Sequence, residues 1–300
     1  KKVIELFKKK GLTKESEGAL IINLEKENLP PCIIQKSDGS TIYATRDLAA
    51  AIYREKTYNF DKNLYVVDVR QSLHFQQVFK SLELAEFSWA KNCIHLPFGT
   101  MRFEEGVMST RKGKIIFLED VLDKSIQVVH NIIQEKNPSL KDKEKVAQQV
   151  GIGAIIFWDL SHDRTRDINF IWEKVLDFNG ETGPYVQYTN ARIHAILRKN
   201  KEVIKQIKYN LLQEKEENEL INKLSEYQGI LKESVREYKP SHLARYLLDL
   251  CQLFNNFYEH HQVLKADKEI RHARLTLIKA VAQVLENGLN LLGIDAPKEM

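Results

Sequence analysis

The apolar residues of this chain change period near residue 120, and that change most limits what the chain can become. Beyond it, apolar side chains recur three and four apart in 121–133, 146–158, 185–197, 220–235, 243–264 and 275–292, the signature of amphipathic helices. Strand signals are expected to stop there, and the second part is expected to be an all-α bundle. Pro240 followed by Ser241 opens one helix, and Gly293 closes the last with Pro297 just beyond, the usual asymmetry of helix ends. The charged run Glu214-Lys-Glu-Glu-Asn-Glu219 reads as a solvated helix face.

Before residue 120 the pattern mixes strands with helices. Lys1-Lys-Val-Ile-Glu-Leu-Phe-Lys8 reads as an amphipathic helix and Ala19-Leu-Ile-Ile-Asn-Leu24 as a short strand. Cys32-Ile-Ile-Gln35 and Thr41-Ile-Tyr43 flank Ser37-Asp-Gly-Ser40 as a hairpin, with Asp-Gly as the turn signal. Thr45 is expected to N-cap the helix that carries Asp47-Leu-Ala-Ala-Ala-Ile-Tyr53, because its hydroxyl can accept from a free backbone N–H. Asn63-Leu-Tyr-Val-Val-Asp-Val69 is apolar enough for a strand buried in a parallel sheet, and 72–84 returns to helical spacing. Strand then helix is the α/β unit. The polar loop Ser161-His-Asp-Arg-Thr-Arg-Asp167 marks a boundary region, and we divide the chain into 1–155 and 156–300.

Forty-five cations against 41 anions leave a net charge of +4, which permits an RNA partner without demanding one. Cys32, Cys93 and Cys251 lie far apart, without zinc spacing or a disulfide framework, so reduced cytoplasmic thiols are expected. No apolar run approaches the length of a membrane span.

The loop Gly106-Val-Met-Ser-Thr-Arg-Lys-Gly113 sets two hydroxyls and two cations between glycines, with Lys114-Ile-Ile-Phe-Leu118 following. Backbone N–H groups and hydroxyls there can approach polyphosphate oxygens. Arg111 and Lys112 can neutralise charge on a departing pyrophosphate. A basic surface hairpin has the same composition, so the loop alone leaves both readings open.

Five blocks in order carry a resemblance. Ser37-Asp-Gly-Ser-Thr-Ile-Tyr-Ala-Thr-Arg-Asp-Leu-Ala-Ala-Ala51 resembles the arginine-site segment of arginyl-tRNA synthetases. Asp68-Val-Arg-Gln-Ser-Leu-His74 resembles the turn near their ATP site. Phe98-Gly-Thr-Met-Arg102 through Gly113 is similar to their KMSKS loop. Glu181-Thr-Gly-Pro-Tyr-Val-Gln-Tyr188 with Leu243-Ala-Arg-Tyr-Leu247 resembles their helical anticodon-binding domain. Asn287-Gly-Leu-Asn-Leu-Leu-Gly-Ile-Asp-Ala-Pro-Lys-Glu-Met300 resembles their C-terminus. The resemblance implies α/β followed by all-α. The first part (1–155) would be the C-terminal half of a Rossmann-like class I catalytic domain, and the second (156–300) a DALR-like helical anticodon-binding domain. No HxGH motif occurs, and the chain begins in mid-helix without an initiator Met. A C-terminal fragment is expected, lacking the HIGH-bearing half and the N-terminal tRNA-binding domain.

Residue roles follow from the resemblance where chemistry permits. Tyr43 and Asp47 are four apart, so one helical turn can set both beside a substrate, and a carboxylate accepts two parallel bonds from a guanidinium. The resemblance gives both residues, with Gln71, to the arginine pocket. Gln71 follows a strand, where ligands of open α/β sheets bind. Arg46 is expected to be structural or exposed. His74 is either an ATP contact or an ordinary first-turn histidine. Phe98, Met101 and Met108 are assigned to the ATP site, and Ser109, Thr110, Arg111 and Lys112 to catalysis. Val107 replaces the first lysine of the motif. Losing one preorganised contact costs about 3–4 kcal/mol, so Lys112→Ala is expected to slow arginine activation by about 100-fold or more in the intact enzyme.

Anticodon bases are read by stacking and by bonds to their edges, and the resemblance places such contacts at Tyr185, Tyr188, Tyr258 and Gln262. Phe254 and Phe257 are expected in the core, while Arg192, Arg198 and Lys199 suit phosphates. His260 and His261 diverge on a helix, which disfavours a metal site. The expected activity is arginine–tRNA ligation, using ATP with Mg²⁺, L-arginine and tRNA(Arg), in a cytoplasmic enzyme that is monomeric at full length. No protein-bound metal and no membrane partner are expected. The chain alone is expected to bind tRNA and to be catalytically incomplete. A free-standing RNA-binding or structural module derived from a synthetase is the alternative.

Overall fold

The computed structural model describes residues 1–103, 116–202 and 207–300. These form two compact units, Lys1–Thr100 and Met101–Met300.

In the first unit, α1 (Lys2–Lys9) precedes an antiparallel sheet of β1 (Thr13–Ser16), β2 (Ala19–Ile22) and β3 (Cys32–Gln35). Helix α2 (Tyr43–Tyr58) then leads to β4 (Asn63–Asp68), α3 (Ser72–Leu84) and β5 (Cys93–Phe98), with β4 and β5 parallel. Phe7 of α1, Ile22, Ile34, Leu48 of α2 and Leu82 of α3 form one buried cluster.

Two local expectations are corrected here. After the turn at Asp38 and Gly39, where Gly39 takes φ +79°, residues 41–43 do not continue as a strand. Only the single bridge Gln35 to Thr41 forms, and the helix begins at Tyr43. Thr45 is therefore already inside α2. Its hydroxyl does not cap the helix but donates to the Ile34 carbonyl, tying α2 to β3. β4 is also not buried throughout. Tyr65 is covered by Phe75 and Phe79, each with ring centroid 5.1 Å away, while Leu64 and Val66 are exposed. One face of the β4–β5 pair packs on α3, so alternate side chains emerge on the other, as the pleat requires.

The second unit opens with β6 (Met101–Phe103), α4 (Leu118–Lys136), α5 (Lys143–Ser161), β7 (Ile168–Phe170) and α6 (Trp172–Val175). Strands do occur beyond residue 120, against expectation, because β7 pairs parallel with β6. Three residues, with Ile168 and Phe170 in and Asn169 out, are too few to register against the helical period around them. Helices α4 and α5 approach closely at Gly151, where an added Cβ would lie 2.8 Å from the Ile126 backbone nitrogen. Ser125 seals the approach by donating to the Gly151 carbonyl at 2.8 Å. The expected division at 155/156 falls inside α5.

Helices α7 (Gly183–Lys199), α8 (Lys215–Glu237), α9 (Pro240–His260) and α10 (Lys268–Leu291) complete the bundle. Tyr246, Phe254 and Phe257 of α9 are buried in its core with Phe157, as the spacing predicts for the two α9 phenylalanines. Each such side chain contributes about 1.5–3 kcal/mol by burial. Helix α9 stops at His260, short of the expected 264, because His261 is extended (φ −125°, ψ 125°). Val263 nonetheless returns to the core. The charged run at 214–219 is not wholly solvated, since Glu217 has no exposed surface.

Past Gly293 (φ +75°), the tail folds back along α7. Gln187 Nε2 donates to the Asp295 carbonyl at 2.7 Å, Asn190 Nδ2 to that of Pro297 at 3.2 Å and Arg198 Nη1 to that of Lys298 at 3.0 Å. No helix among the described residues is long and apolar enough to cross a membrane.

Candidate functional site

The first unit gathers one set of candidates at the start of α2 and the turn after β4. Helix α2 places Tyr43 and Asp47 one turn apart, and Tyr43 is 77% exposed. Arg46 packs over the Tyr43 ring at 5.7 Å. Chain reversal at Asp68 lets its carboxylate accept from the Arg70 backbone N–H at 2.8 Å and from the Arg70 guanidinium at 2.9 and 2.7 Å. Those bonds hold the Asp68 carboxyl down at about 2. Gln71 follows at the N-cap position of α3, exposed, and its side chain does not cap that helix.

One turn into α3, His74 Nε2 lies 2.6 Å from Asp47 Oδ2. The structure thus brings together a residue assigned to arginine and one assigned to ATP. Phe98 ends β5 and is 40% exposed. Met101 belongs to β6 and packs against the core of the second unit. Val107, Met108, Ser109, Thr110, Arg111 and Lys112 lie outside the described residues.

The second set lies on α7 and α9. The α7 N-terminus is fixed by Thr182, whose hydroxyl accepts from the Tyr185 N–H at 3.2 Å, and by Pro184 in the first turn. Arg192 then links three candidate tyrosines. Its guanidinium lies 4.9 Å from the Tyr188 ring and 5.9 Å from the Tyr258 ring. It donates to Asn255 Oδ1 at 2.9 Å, and Asn255 Nδ2 donates to the Tyr185 hydroxyl at 2.9 Å. Tyr188 and Tyr258 are each 41% exposed, while Tyr185 is half-buried.

Beside Tyr188 and Arg192 runs a groove of about 660 Å³, walled also by Lys141, Arg198 and Met300. Gln262 is not part of that groove. It lines a second one of about 300 Å³ with Tyr258, Lys199 and Lys265. Exposed aromatic faces flanked by cations can stack bases and hold phosphates. Sequence reasoning gave Arg192 only to phosphates; its coupling to Asn255 and Tyr258 joins α7 to α9, and no local spacing signals a contact between two helices so far apart in the chain.

His261 Nε2 pairs with Glu216 at 2.9 Å. Among the described residues, no three His, Cys, Asp or Glu side chains converge as a metal site.

The part of the chain that carries the Asp47–His74 pair and the helical part that carries the Arg192 cluster each match a family model. The model for the tRNA synthetases class I (R) catalytic domain matches residues 1–172. That for the DALR anticodon binding domain matches residues 186–300. The class is therefore a class I synthetase catalytic region followed by a DALR domain. The chain is 49% identical over 299 residues to an arginine–tRNA ligase from Halothermothrix orenii and 50% identical over 297 residues to one from Clostridium acetobutylicum. These alignments take in 99% of this chain and 53% of each relative. The solved arginyl-tRNA synthetase of Thermus thermophilus superposes with a TM-score of 0.90 at 29% identity, over all of this chain and 57% of that one. The Plasmodium falciparum enzyme shares the fold at TM-score 0.85 and 23% identity. The chain belongs to the arginyl-tRNA synthetase family, and it spans about half the length of the curated relatives it matches.

Proposed function

We propose that this chain contributes the arginine pocket and the tRNA-binding bundle of an arginine–tRNA ligase. That enzyme activates L-arginine with ATP, releases pyrophosphate and passes arginine to tRNA(Arg). The single observation that carries the reading is the Asp47 carboxylate, held by His74 at 2.6 Å one helical turn from the exposed Tyr43. An oriented carboxylate accepts a guanidinium in a fixed geometry, and an aromatic face beside it suits the planar cation. Gln71, exposed at the head of α3, supplies a neutral amide for the remaining polar groups of the amino acid. Chemistry then depends on positioning and on charge stabilisation rather than on a covalent enzyme nucleophile. Ser109, Thr110, Arg111 and Lys112 are proposed to meet the phosphates, with His74, Phe98, Met101 and Met108 on the nucleotide side. Mg²⁺ would arrive with ATP; among the described residues no protein cluster fits it, so no step is assigned to it.

Tyr185, Tyr188, Tyr258 and Gln262 are proposed to meet the tRNA anticodon. The Arg192 cluster supports this, because a cation between two exposed rings preorganises them for stacking. Coverage of only about half of each relative favours a second reading, a tRNA-binding module that does not activate arginine by itself. Arginine-dependent ATP–pyrophosphate exchange, measured beside tRNA binding, separates the two. The chain is expected to bind tRNA without exchange and to support exchange when joined to the segment its relatives carry. Exchange by the chain alone would show that the missing motif is dispensable, and failure in both assays would remove the ligase reading.

A further inference from the structure

Glu217 of α8 is a carboxylate with no exposed surface. Arg274 of α10, whose side chain is 12% exposed, donates from Nε to its Oε1 at 2.7 Å. The Glu214 backbone N–H donates to its Oε2 at 3.0 Å, closing a capping box. Arg274 also reaches away from α8. Its Nη1 donates to the Gln262 backbone carbonyl at 3.1 Å, and its Nη2 faces His261 Nδ1 at 3.4 Å. His261 Nε2 is held in turn by Glu216 at 2.9 Å. One guanidinium therefore grips the first turn of α8 and the chain just beyond the end of α9.

The gripped stretch is anchored on either side, by Phe257 before it and by buried Val263 after it, and Arg274 is what bonds the Gln262 carbonyl between them. His261 has left the helix, though its backbone N–H still donates to the Phe257 carbonyl at 2.9 Å and its ring packs on Phe257 with centroids 5.4 Å apart. A buried ion pair rarely gains much net stability, because desolvation offsets attraction. What it supplies is direction, and a planar fork that donates along three vectors is a task lysine cannot perform. The groove of about 300 Å³ that holds Tyr258, Gln262, Lys199 and Lys265 lies against this stretch.

We infer that Arg274, anchored by Glu217, is a positioning residue for RNA recognition, holding His261 and Gln262 so that the Gln262 amide and the Tyr258 face address one unpaired base. This rests on reading the bundle as the tRNA-binding part. Arg274 does not touch RNA; it acts through the turn.

The test uses the 300-residue chain. Binding of a tRNA(Arg) transcript, and of the same transcript with a changed anticodon, is followed by fluorescence anisotropy at one salt concentration. Thermal unfolding is recorded in parallel. Arg274→Lys is expected to stay folded and to lose about tenfold of the preference for the native anticodon, with binding of the changed transcript little altered. A merely structural role would weaken both RNAs together. If Arg274→Lys does not fold, Glu216→Gln, which loosens His261 from outside the buried pair, is expected to shift the preference in the same direction. Unchanged preference in a folded variant overturns the inference alone, as does equal binding of both transcripts by the unaltered chain. No binding of either transcript by the unaltered chain overturns the tRNA-binding reading and the inference with it.

Discussion

His74 Nε2 lies 2.6 Å from Asp47 Oδ2, although 27 positions and two different helices separate them. The imidazole is also set edge-on to Phe75, with ring centroids 5.1 Å apart at 79°. Asp47 is thus aimed by a ring that is itself held. A carboxylate oriented in advance loses less freedom when a guanidinium arrives.

Removing that support should show in substrate affinity. In the enzyme completed to the length of its relatives, His74→Ala is expected to raise the arginine KM about tenfold, the effect of one charge-assisted hydrogen bond. His74→Gln should recover part of it. Asp47→Asn is expected to raise KM further, by about 100-fold. A large kcat loss in His74→Ala with unchanged arginine KM would remove the Asp47-positioning role and leave His74 only its proposed place on the nucleotide side.

The Tyr258 ring is stacked on buried Phe254, with centroids 6.0 Å apart, lies 5.9 Å from the Arg192 guanidinium, and is 41% exposed. Tyr258→Leu is expected to weaken tRNA binding by about tenfold, within the range for one base stack, while Tyr258→Phe stays close to the unaltered chain. Equal losses in both variants would place the binding in the hydroxyl and not the ring.

Two glycines should respond oppositely to alanine. At Gly151 a methyl group would lie within 3.0 Å of the backbone of Ser125 and Ile126. Backbone cannot move aside as a flexible side chain can, so Gly151→Ala is expected to destabilise the protein by about 1–3 kcal/mol. Gly229 lies inside α8 with nothing within 4 Å of an added Cβ. Gly229→Ala is expected to stabilise it by about 0.4–1 kcal/mol. Thermal or urea unfolding of the pair gives both signs.

Burial raises the thiols of Cys32 and Cys93 from 9.0 to about 11, and that of Cys251 to about 12. In the unfolded chain they ionise near 9.0, so folding is favoured fully below pH 9. That contribution fades as the pH rises from 9 through 11 and 12. The melting temperature is expected to fall across this window, and less steeply in Cys251→Ala. Iodoacetamide at pH 8 should leave the native thiols largely unmodified.

The long periodic segments were legible in the residues alone. The helix expected at 72–84 is α3 to the residue, because four buried side chains keep its period. What was lost lay where a side chain has two possible partners. Thr45 looks like a cap in the sequence but bonds the neighbouring strand. Glu217 sits among charges yet is buried by Arg274, 57 residues away. The pair of tyrosines at 188 and 258 could be proposed from motifs, but the Arg192 that joins them could not, since nothing local couples α7 to α9. The Asp47–His74 contact was hidden for the same reason, with each residue read separately for a different substrate.

The tail after Gly293 is held by bonds to its main-chain carbonyls at 295, 297 and 298, and the gripping amides of Gln187 and Asn190 both belong to α7. Main-chain carbonyls are common to every residue type. The path of the tail is therefore written partly in α7: the letters at 295 and 298, both exposed, can drift where α7 grips only their carbonyls, whereas Ile294, buried in the core, must keep its shape, and a change at 187 or 190 would loosen the tail whatever those exposed letters spell.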